Sequence, residues 1–129
     1  MTADSLPRDI MRGISWSFIG NRFADVHAFT AVLDDYQAAI DGKGSSLDTT
    51  VLPCARVLVL YRNGGDDDGV LELKAGNGVG FTARELLFQI HNGIVDEVCD
   101  LDHHFFEGLS LNSYPVAGYP PVFKMRLGS

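Results

Sequence analysis

The side chains best suited to chemistry lie in one short stretch, where imidazole and carboxylate groups follow each other closely. They are His91, Asp100, Asp102, His103, His104 and Glu107. Imidazole and carboxylate together form a common ligand set for zinc and non-haem iron. Successive side chains of an extended segment point to opposite faces, so only one of the two adjacent histidines could join Asp102 on a given side. We therefore predict no metal site and no cofactor.

Four residues of this stretch are kept as candidate binding residues: His91, Asp102, His104 and Glu107. A small-ligand or metal-dependent enzyme would use this region, and that function is the alternative hypothesis. Against it, His91 falls within the apolar arc of a predicted helix, where a lone histidine is more often a hydrogen-bonded core residue. We expect a structural role for His91 and for one of the two adjacent histidines.

Three other patterns resemble known sites but lack their essential residues. The glycine-rich turn at residues 76–80 precedes a predicted helix, but it has neither the third glycine of a dinucleotide fingerprint nor a P-loop lysine. Residues 66–68 are three aspartates without the spacing of an EF-hand loop. Residues 108–112 begin like a nucleophile elbow and end in asparagine instead of glycine. We predict no catalytic residue.

Aromatic and proline residues cluster near the C-terminus. Tyr114 and Tyr119 lie among Pro115, Pro120 and Pro121. Tyrosine offers a large contact area at a low entropic cost, and proline stiffens a loop. Tyr114 and Tyr119 are therefore candidate binding residues on a recognition surface, although the segment could equally cover the sheet as a lid.

Composition limits the remaining function classes. The chain has 129 residues, 46% of them apolar by type, and its 10 Lys and Arg against 17 Asp and Glu give a formal charge of −7. This length predicts a single domain over residues 1–129, with residues 1–12 partly loose. The negative charge argues against nucleic acid as a partner. We find neither a membrane-spanning stretch nor a secretory signal, and we expect a cytoplasmic protein. Cys54 and Cys99 are expected to be buried, reduced thiols.

Two segments have the periodicity of helices. Residues 25–41 place apolar side chains along one side, with Asp25 as the N-cap. Their apolar positions are Val26, Phe29, Val32, Leu33, Tyr36, Ala39 and Ile40. Residues 83–99 follow a capping box formed by Thr82 and Glu85. Apolar residues cover more than half of this second helix, so we expect it to be central, packed on a sheet and against the first helix, a loop or another subunit.

Strand patterns occupy most of the remaining chain. Residues 14–18 alternate apolar and serine side chains, residues 55–62 are apolar on both faces, and residues 69–74 complete a hairpin with them. Further strands are expected after the second helix and over residues 122–127. The fold class is therefore α+β, with a mainly antiparallel sheet of about four or five strands, two principal helices and the order β-α-β-β-α-β-β.

The C-terminal half resembles a pattern found in small uncharacterised bacterial proteins. The residues concerned are FTARELLFQIHN at 81–92, DHHFFEGL at 102–109 and the ending LGS. The resemblance implies a bacterial, stand-alone protein and carries over no functional residue. The chain is also similar to small acidic secretion chaperones in size, charge and order of elements, a likeness of topology alone.

These features favour a non-enzymatic protein-binding module of immunity-protein or chaperone type. It would act through an apolar or acidic surface on a protein partner or on a second copy of itself as a homodimer. The breadth of the apolar arc on the second helix carries this prediction, because one sheet face cannot cover it.

Overall fold

The computed structural model describes residues 8–11, 14, 16–18, 20–41, 47–62, 69–98, 105–113 and 120–128. Its helices are α1 (Val26–Asp41) and α2 (Ala83–Val98). Its strands are β1 (Asp9–Ile10), β2 (Trp16–Ser17), β3 (Thr50–Leu52), β4 (Arg56–Tyr61), β5 (Gly69–Lys74), β6 (Phe81–Thr82), β7 (Phe105–Ser113) and β8 (Val122–Gly128).

The main sheet has six strands in the order β1-β7-β8-β4-β5, with β2 also pairing β7, and β3 and β6 form a separate two-stranded sheet. Its pairs are antiparallel except for β4 and β8, which run parallel. The α+β class with two helices and a mainly antiparallel sheet is confirmed. The predicted strand count was too low and the predicted order omitted β1, β3 and β6, because strands of two or three residues are too short to show a periodic pattern.

The two N-terminal strands, β1 and β2, both pair with β7 and form one edge of the main sheet. Ile10 lies opposite Leu109 and Trp16 lies opposite Phe106. Met11, between the two strands, has a φ of 62°, which turns the chain there. The predicted alternation of this segment is wrong at Ser17, which is as buried as its neighbours Trp16 and Phe18.

Helix α1 begins where the sequence predicts. The carboxylate of Asp25 accepts the backbone N–H of Ala28 at 2.8 Å, which caps the first turn. Phe29 and Leu33 are fully buried, but Val26 and Val32 are 41% and 45% exposed. The predicted apolar face was therefore too wide at Val26 and Val32, which lie outside the buried part of α1 among its described side chains.

Helix α2 lies at the centre of the molecule. The backbone N–H of Glu85 donates to Thr82 Oγ1 at 3.1 Å, so half of the predicted capping box forms. The Glu85 carboxylate does not complete it and accepts the N–H of Gly76 at 2.9 Å instead. The apolar residues of α2 are buried along its length: Leu86, Leu87, Ile90, Ile94 and Val95.

The sequence argument for a partner depends on the breadth of this apolar arc. In the structure the chain itself covers the arc. Leu71 of β5 packs against α2 at Gly93, and Phe29 of α1 contacts Phe88 with ring centroids 5.7 Å apart. The expected contact with the first helix therefore forms, and α2 no longer gives a reason to expect another subunit.

Beside α2, the hairpin of β4 and β5 has a close contact at the end where the chain passes from β4 to β5. Gly69 lies opposite Tyr61, and a Cβ atom on Gly69 would lie 2.5 Å from the Tyr61 ring, so only glycine fits there. The Tyr61 hydroxyl donates to the carboxylate of Glu97 on α2. Burial, together with this carboxylate, raises the pKa of Tyr61 to about 12, so the phenol stays protonated and keeps the hydrogen bond.

In the part of the chain described, no helix is long and apolar enough to cross a bilayer.

Candidate functional site

His91 lies on the buried face of α2 and is completely buried. Its Nδ1 accepts the indole N–H of Trp16 at 3.0 Å, and its Nε2–H donates to the backbone carbonyl of Asn21 at 2.9 Å. Both ring nitrogens are therefore in use, and the two bonds specify the neutral tautomer protonated on Nε2. A metal ion or a substrate proton could reach His91 only if one of these bonds were lost.

Aromatic rings enclose this histidine. Their centroids lie 5.0 to 6.0 Å from that of His91, and they belong to Trp16, Phe18, Phe23 and Phe29. Burial among these rings lowers the pKa of His91, although the Asn21 carbonyl opposes the shift. The geometry is that of a core histidine that joins α2 to the segment from Trp16 to Phe23.

We predict that the free energy of unfolding decreases as the pH falls below the ordinary histidine pKa of 6.5. The unfolded chain takes up a proton on His91 near that pH, whereas the folded chain resists protonation, so protons favour the unfolded state. Urea unfolding measured between about pH 5 and about pH 7.5 checks this. The His91→Gln variant should lose this part of the slope, and an equal slope in both proteins would contradict the assignment.

The other predicted binding residues do not join His91 in the described structure. Glu107 is exposed on β7, next to Phe106, whose ring is buried in the core. The Glu107 side chain is exposed, whereas the His91 ring is completely buried, so the two do not share a site. Asp102, His104, Tyr114 and Tyr119 lie outside the described residues, so their roles stay predictions. Among the residues that are described, no group of three or more His, Cys, Asp or Glu side chains could hold a metal ion.

Backbone N–H groups of the glycine-rich turn before α2 are hydrogen-bonded to acceptors in or next to the turn. Asn77 Oδ1 accepts the N–H groups of Val79 and Gly80 at 2.8 and 3.0 Å. The N–H of Gly78, whose φ is 72°, donates to the Ala75 carbonyl. Because these groups are already paired, the turn connects β5 to β6 and offers no ready cradle for a phosphate.

A groove of about 560 Å³ runs between the first turns of α1 and α2. Phe88 and Val26 contribute its apolar lining, and the polar residues beside them act within the fold. Arg84, for example, bonds Asp34 of α1 at 3.0 Å and Asp48 at 2.8 Å. Asp25 and Thr82 cap the two helices and the Glu85 carboxylate accepts the N–H of Gly76, so the groove lacks the convergent free polar groups of a small-molecule site.

Cys54 is a free, half-buried thiol. Burial raises the pKa of this thiol, which favours the neutral and less nucleophilic form. Cys99 lies outside the described residues.

The face of the main sheet opposite the helices carries a continuous apolar strip, which we call the outer strip. It consists of Leu58, Leu60, Val70 and Val122. Leu60 pairs with Val70 across β4 and β5, and Leu58 pairs with Val122 across β4 and β8. Val70 is 60% exposed, and the other three are half-buried. The sequence predicts that β4 is covered on both faces, but no described helix packs on this one.

Basic side chains lie at both ends of the outer strip. Arg56 and Lys74 are opposite each other at one end, and Lys124 and Arg126 follow Val122 along β8 at the other. Glu72 is the acidic residue within this area, and it forms an ion pair with Arg56 that lowers the pKa of the Glu72 carboxyl. The helical side, in contrast, carries Asp25, Asp34, Asp35, Asp48, Glu85, Asp96 and Glu97 with Arg22 and Arg84.

Sequence reasoning did not single out this surface. The four basic residues are scattered along the chain as isolated positions. Their proximity depends on the parallel pairing of β4 with β8, which joins segments about sixty residues apart and has no local signal. The period-two alternation of polar and apolar residues in β5 and β8 was the one usable sign.

Comparison with known proteins identifies no relative: no family model, curated protein or solved structure matches the chain. The resemblance of the C-terminal half to small bacterial proteins therefore stays a prediction.

Proposed function

We propose that this chain is a non-enzymatic protein-binding module, of immunity-protein or chaperone type, that contacts its partner through the outer strip. The observation that carries the proposal is the exposure of contiguous apolar side chains on the face of the sheet opposite the helices. Val70 at 60% exposure and the half-buried Leu58, Leu60 and Val122 form one contiguous area. A contiguous apolar area with a polar rim is typical of a protein contact surface.

The surroundings of the strip support the same function. Charged side chains at its two ends would form the rim of an interface and exclude water from its centre. The two β-strands that provide most of the strip are also held rigidly, by the uninterrupted β4–β5 ladder and by α2 behind it. A rigid surface loses little conformational entropy on binding.

The alternative of a small-ligand or metal-dependent enzyme has less support. His91 uses both ring nitrogens within the core, and the Glu107 side chain is exposed. Bringing them to one substrate would require the core to open.

We predict that Val70→Asp abolishes partner binding. Val70 is the most exposed residue of the strip, so a partner would bury it. A carboxylate buried there loses its water, and we expect affinity to fall by at least about tenfold. The measurement is affinity capture from an extract of the source organism, with the unmodified chain and the variant as baits. The matched control is Val32→Asp, because Val32 is a 45% exposed valine on α1, on the helical side.

Capture of the same proteins by the unmodified chain and by Val32→Asp, and their loss with Val70→Asp, is the expected pattern. Equal capture by all three baits would place binding elsewhere and contradict the proposal. Sedimentation equilibrium of the same proteins tests the homodimer form of the proposal, since a dimer built on this strip should dissociate in Val70→Asp alone.

A further inference from the structure

The edge of the main sheet at β5 has backbone groups that no described strand pairs. The N–H of Ala75, just after β5, donates to the Ala55 carbonyl at 2.8 Å. These two residues continue the register of β4 with β5, and hydrogen-bonded and non-bonded pairs alternate along an antiparallel ladder. The N–H and carbonyl groups of Val70, Glu72 and Lys74 therefore point away from β4, toward the free side of β5.

The two edges of the main sheet differ in how well they are protected from pairing with another chain. At one edge, β1 and β2 are two residues each and are separated by Met11, whose φ is positive. At the other edge, β5 is six residues long and pairs with β4 without a bulge. Leu71 of β5 contacts α2 on the helical side and is still only half-buried. Short or irregular edge strands are a usual protection against pairing between molecules, and β5 lacks both features.

The charges of this edge are complementary to those of a second copy in one register. Three antiparallel registers pair at least two of the three outward-pointing residues of each copy, and they place the two-fold axis at Leu71, Glu72 or Leu73. An axis at Glu72 sets two identical carboxylates opposite each other, which is destabilising. An axis at Leu71 sets each Glu72 opposite the apolar Val70 of the other copy. An axis at Leu73 sets each Glu72 opposite Lys74 of the other copy, which pairs opposite charges.

We infer that β5 is a homodimer edge, where β5 of a second copy pairs antiparallel about a two-fold axis at Leu73. Each of the two Glu72–Lys74 pairs then exchanges two backbone hydrogen bonds and forms a cross-strand ion pair. On the helical side, the two Leu73 side chains meet, and the half-buried Leu71 gains Ala75 of the second copy as a neighbour. The inference does not rest on the proposed function, although the dimer would carry two outer strips on one face of a continuous sheet.

The contacts that these residues already make are compatible with the dimer. The Lys74 carbonyl accepts the side-chain N–H of Gln89 at 2.9 Å, and a carbonyl oxygen has a second lone pair for the N–H of the added strand. Arg56 donates from both Nε and Nη2 to Oε2 of Glu72. The other carboxylate oxygen of Glu72 can therefore face the ammonium group of Lys74 in the second copy.

The test reverses the two charges separately and then mixes the variants. Glu72→Lys and Lys74→Glu each set like charges opposite each other across the axis. In sedimentation equilibrium, each variant alone should dimerise at least about tenfold more weakly than the unmodified chain. An equimolar mixture should recover the dimer as a heterodimer, because the two lysines of the first variant then face the two glutamates of the second.

Glu107→Lys and Arg126→Glu are the matched controls. They change the net charge by the same amounts, and both residues are exposed on β7 and β8, away from the β5 edge. Each control should dimerise like the unmodified chain. The inference is overturned if the unmodified chain is monomeric up to about 1 mM, if either β5 variant dimerises as well as the unmodified chain, or if the mixture stays monomeric.

Hydrogen exchange of the unmodified chain tests the register. The amides of Glu72 and Lys74 should become protected as the protein concentration rises. The amide of Val70 should keep exchanging quickly, because the residue opposite it, Gly76, lies beyond the end of β5 and donates its N–H to Glu85. Protection of the Val70 amide would place the axis at Leu71 or Glu72 and contradict the inference.

The Val70→Asp variant separates this inference from the proposed function. Val70 lies outside the paired residues, so Val70→Asp should leave the edge dimer intact while it abolishes partner capture. Dissociation of the dimer by Val70→Asp would place the contact on the outer strip and overturn the inference. Unchanged partner capture by a dimeric Val70→Asp would contradict the proposed function and leave the edge dimer standing.

Discussion

Replacing His91 by alanine is expected to lower the free energy of unfolding by about 3 to 5 kcal/mol. The substitution removes a completely buried ring from a cluster of aromatic side chains and leaves a cavity. It also leaves the Trp16 indole N–H and the Asn21 carbonyl without the partners they have now, at 3.0 and 2.9 Å. An unpaired buried donor or acceptor is destabilising because it loses water without gaining a hydrogen bond.

Urea unfolding of the purified variant at about pH 7.5 measures this effect, well above the ordinary histidine pKa. His27→Ala is the matched control, since His27 is exposed on α1 and its loss should change stability by less than about 0.5 kcal/mol. Trp16→Phe separates the two contributions, because it removes the indole donor while leaving the His91 ring in place. A loss no larger for His91→Ala than for His27→Ala would mean that the core does not depend on this histidine.

Replacing Phe29 by alanine should lower the free energy of unfolding by a similar amount, about 3 to 5 kcal/mol. Phe29 is fully buried and joins α1 to the rest of the molecule through its contacts with Trp16, Phe23 and Phe88. Among the described side chains of α1, Leu33 is also fully buried and Tyr36 contacts Trp16, whereas Val26 and Val32 face solvent. Without Phe29, α1 should detach from the core or repack against it, with a large loss in the free energy of unfolding.

Thermal and urea unfolding followed by circular dichroism test this prediction. Val32→Ala on the same helix is the control, since this residue is 45% exposed and its truncation removes little buried surface. The Phe29→Ala variant should also expose the aromatic cluster, which tryptophan fluorescence reports through Trp16. Equal stability of the two variants would show that α1 is held by contacts other than Phe29.

If both core predictions hold, the helical side of the molecule is a support and the outer face is free to bind. The side chains that could have formed a catalytic group on the helical side are committed to the fold: His91 to Trp16 and Asn21, Arg84 to Asp34 and Asp48. The outer strip has no such internal role at Val70, which is mostly exposed. We place the function on the sheet because the helical side chains are paired within the fold, whereas the outer strip is exposed at Val70.

Local patterns indicated the two helices and the longer strands of this protein. The capping groups Asp25 and Thr82 mark the start of both helices, because a side-chain oxygen satisfies an N–H that the helix leaves unpaired. The extent of β5 follows directly from its sequence, since its alternation and the flanking turn residues are neighbours along the chain. The core role expected of His91 agrees with its position, because its spacing placed it on the apolar side of α2.

Tertiary structure alone decided what lies on each surface. The parallel pairing of β4 with β8 brings Val122, Lys124 and Arg126 beside the hairpin, and this contact between distant segments leaves no trace in local periodicity. The width of the buried stripe on α1, the exposure of Val26 and Val32, and the covering of α2 also depend on which neighbours are present. Periodicity specifies which face of an element is apolar, but burial is a property of the packed assembly, because only packing removes that face from water.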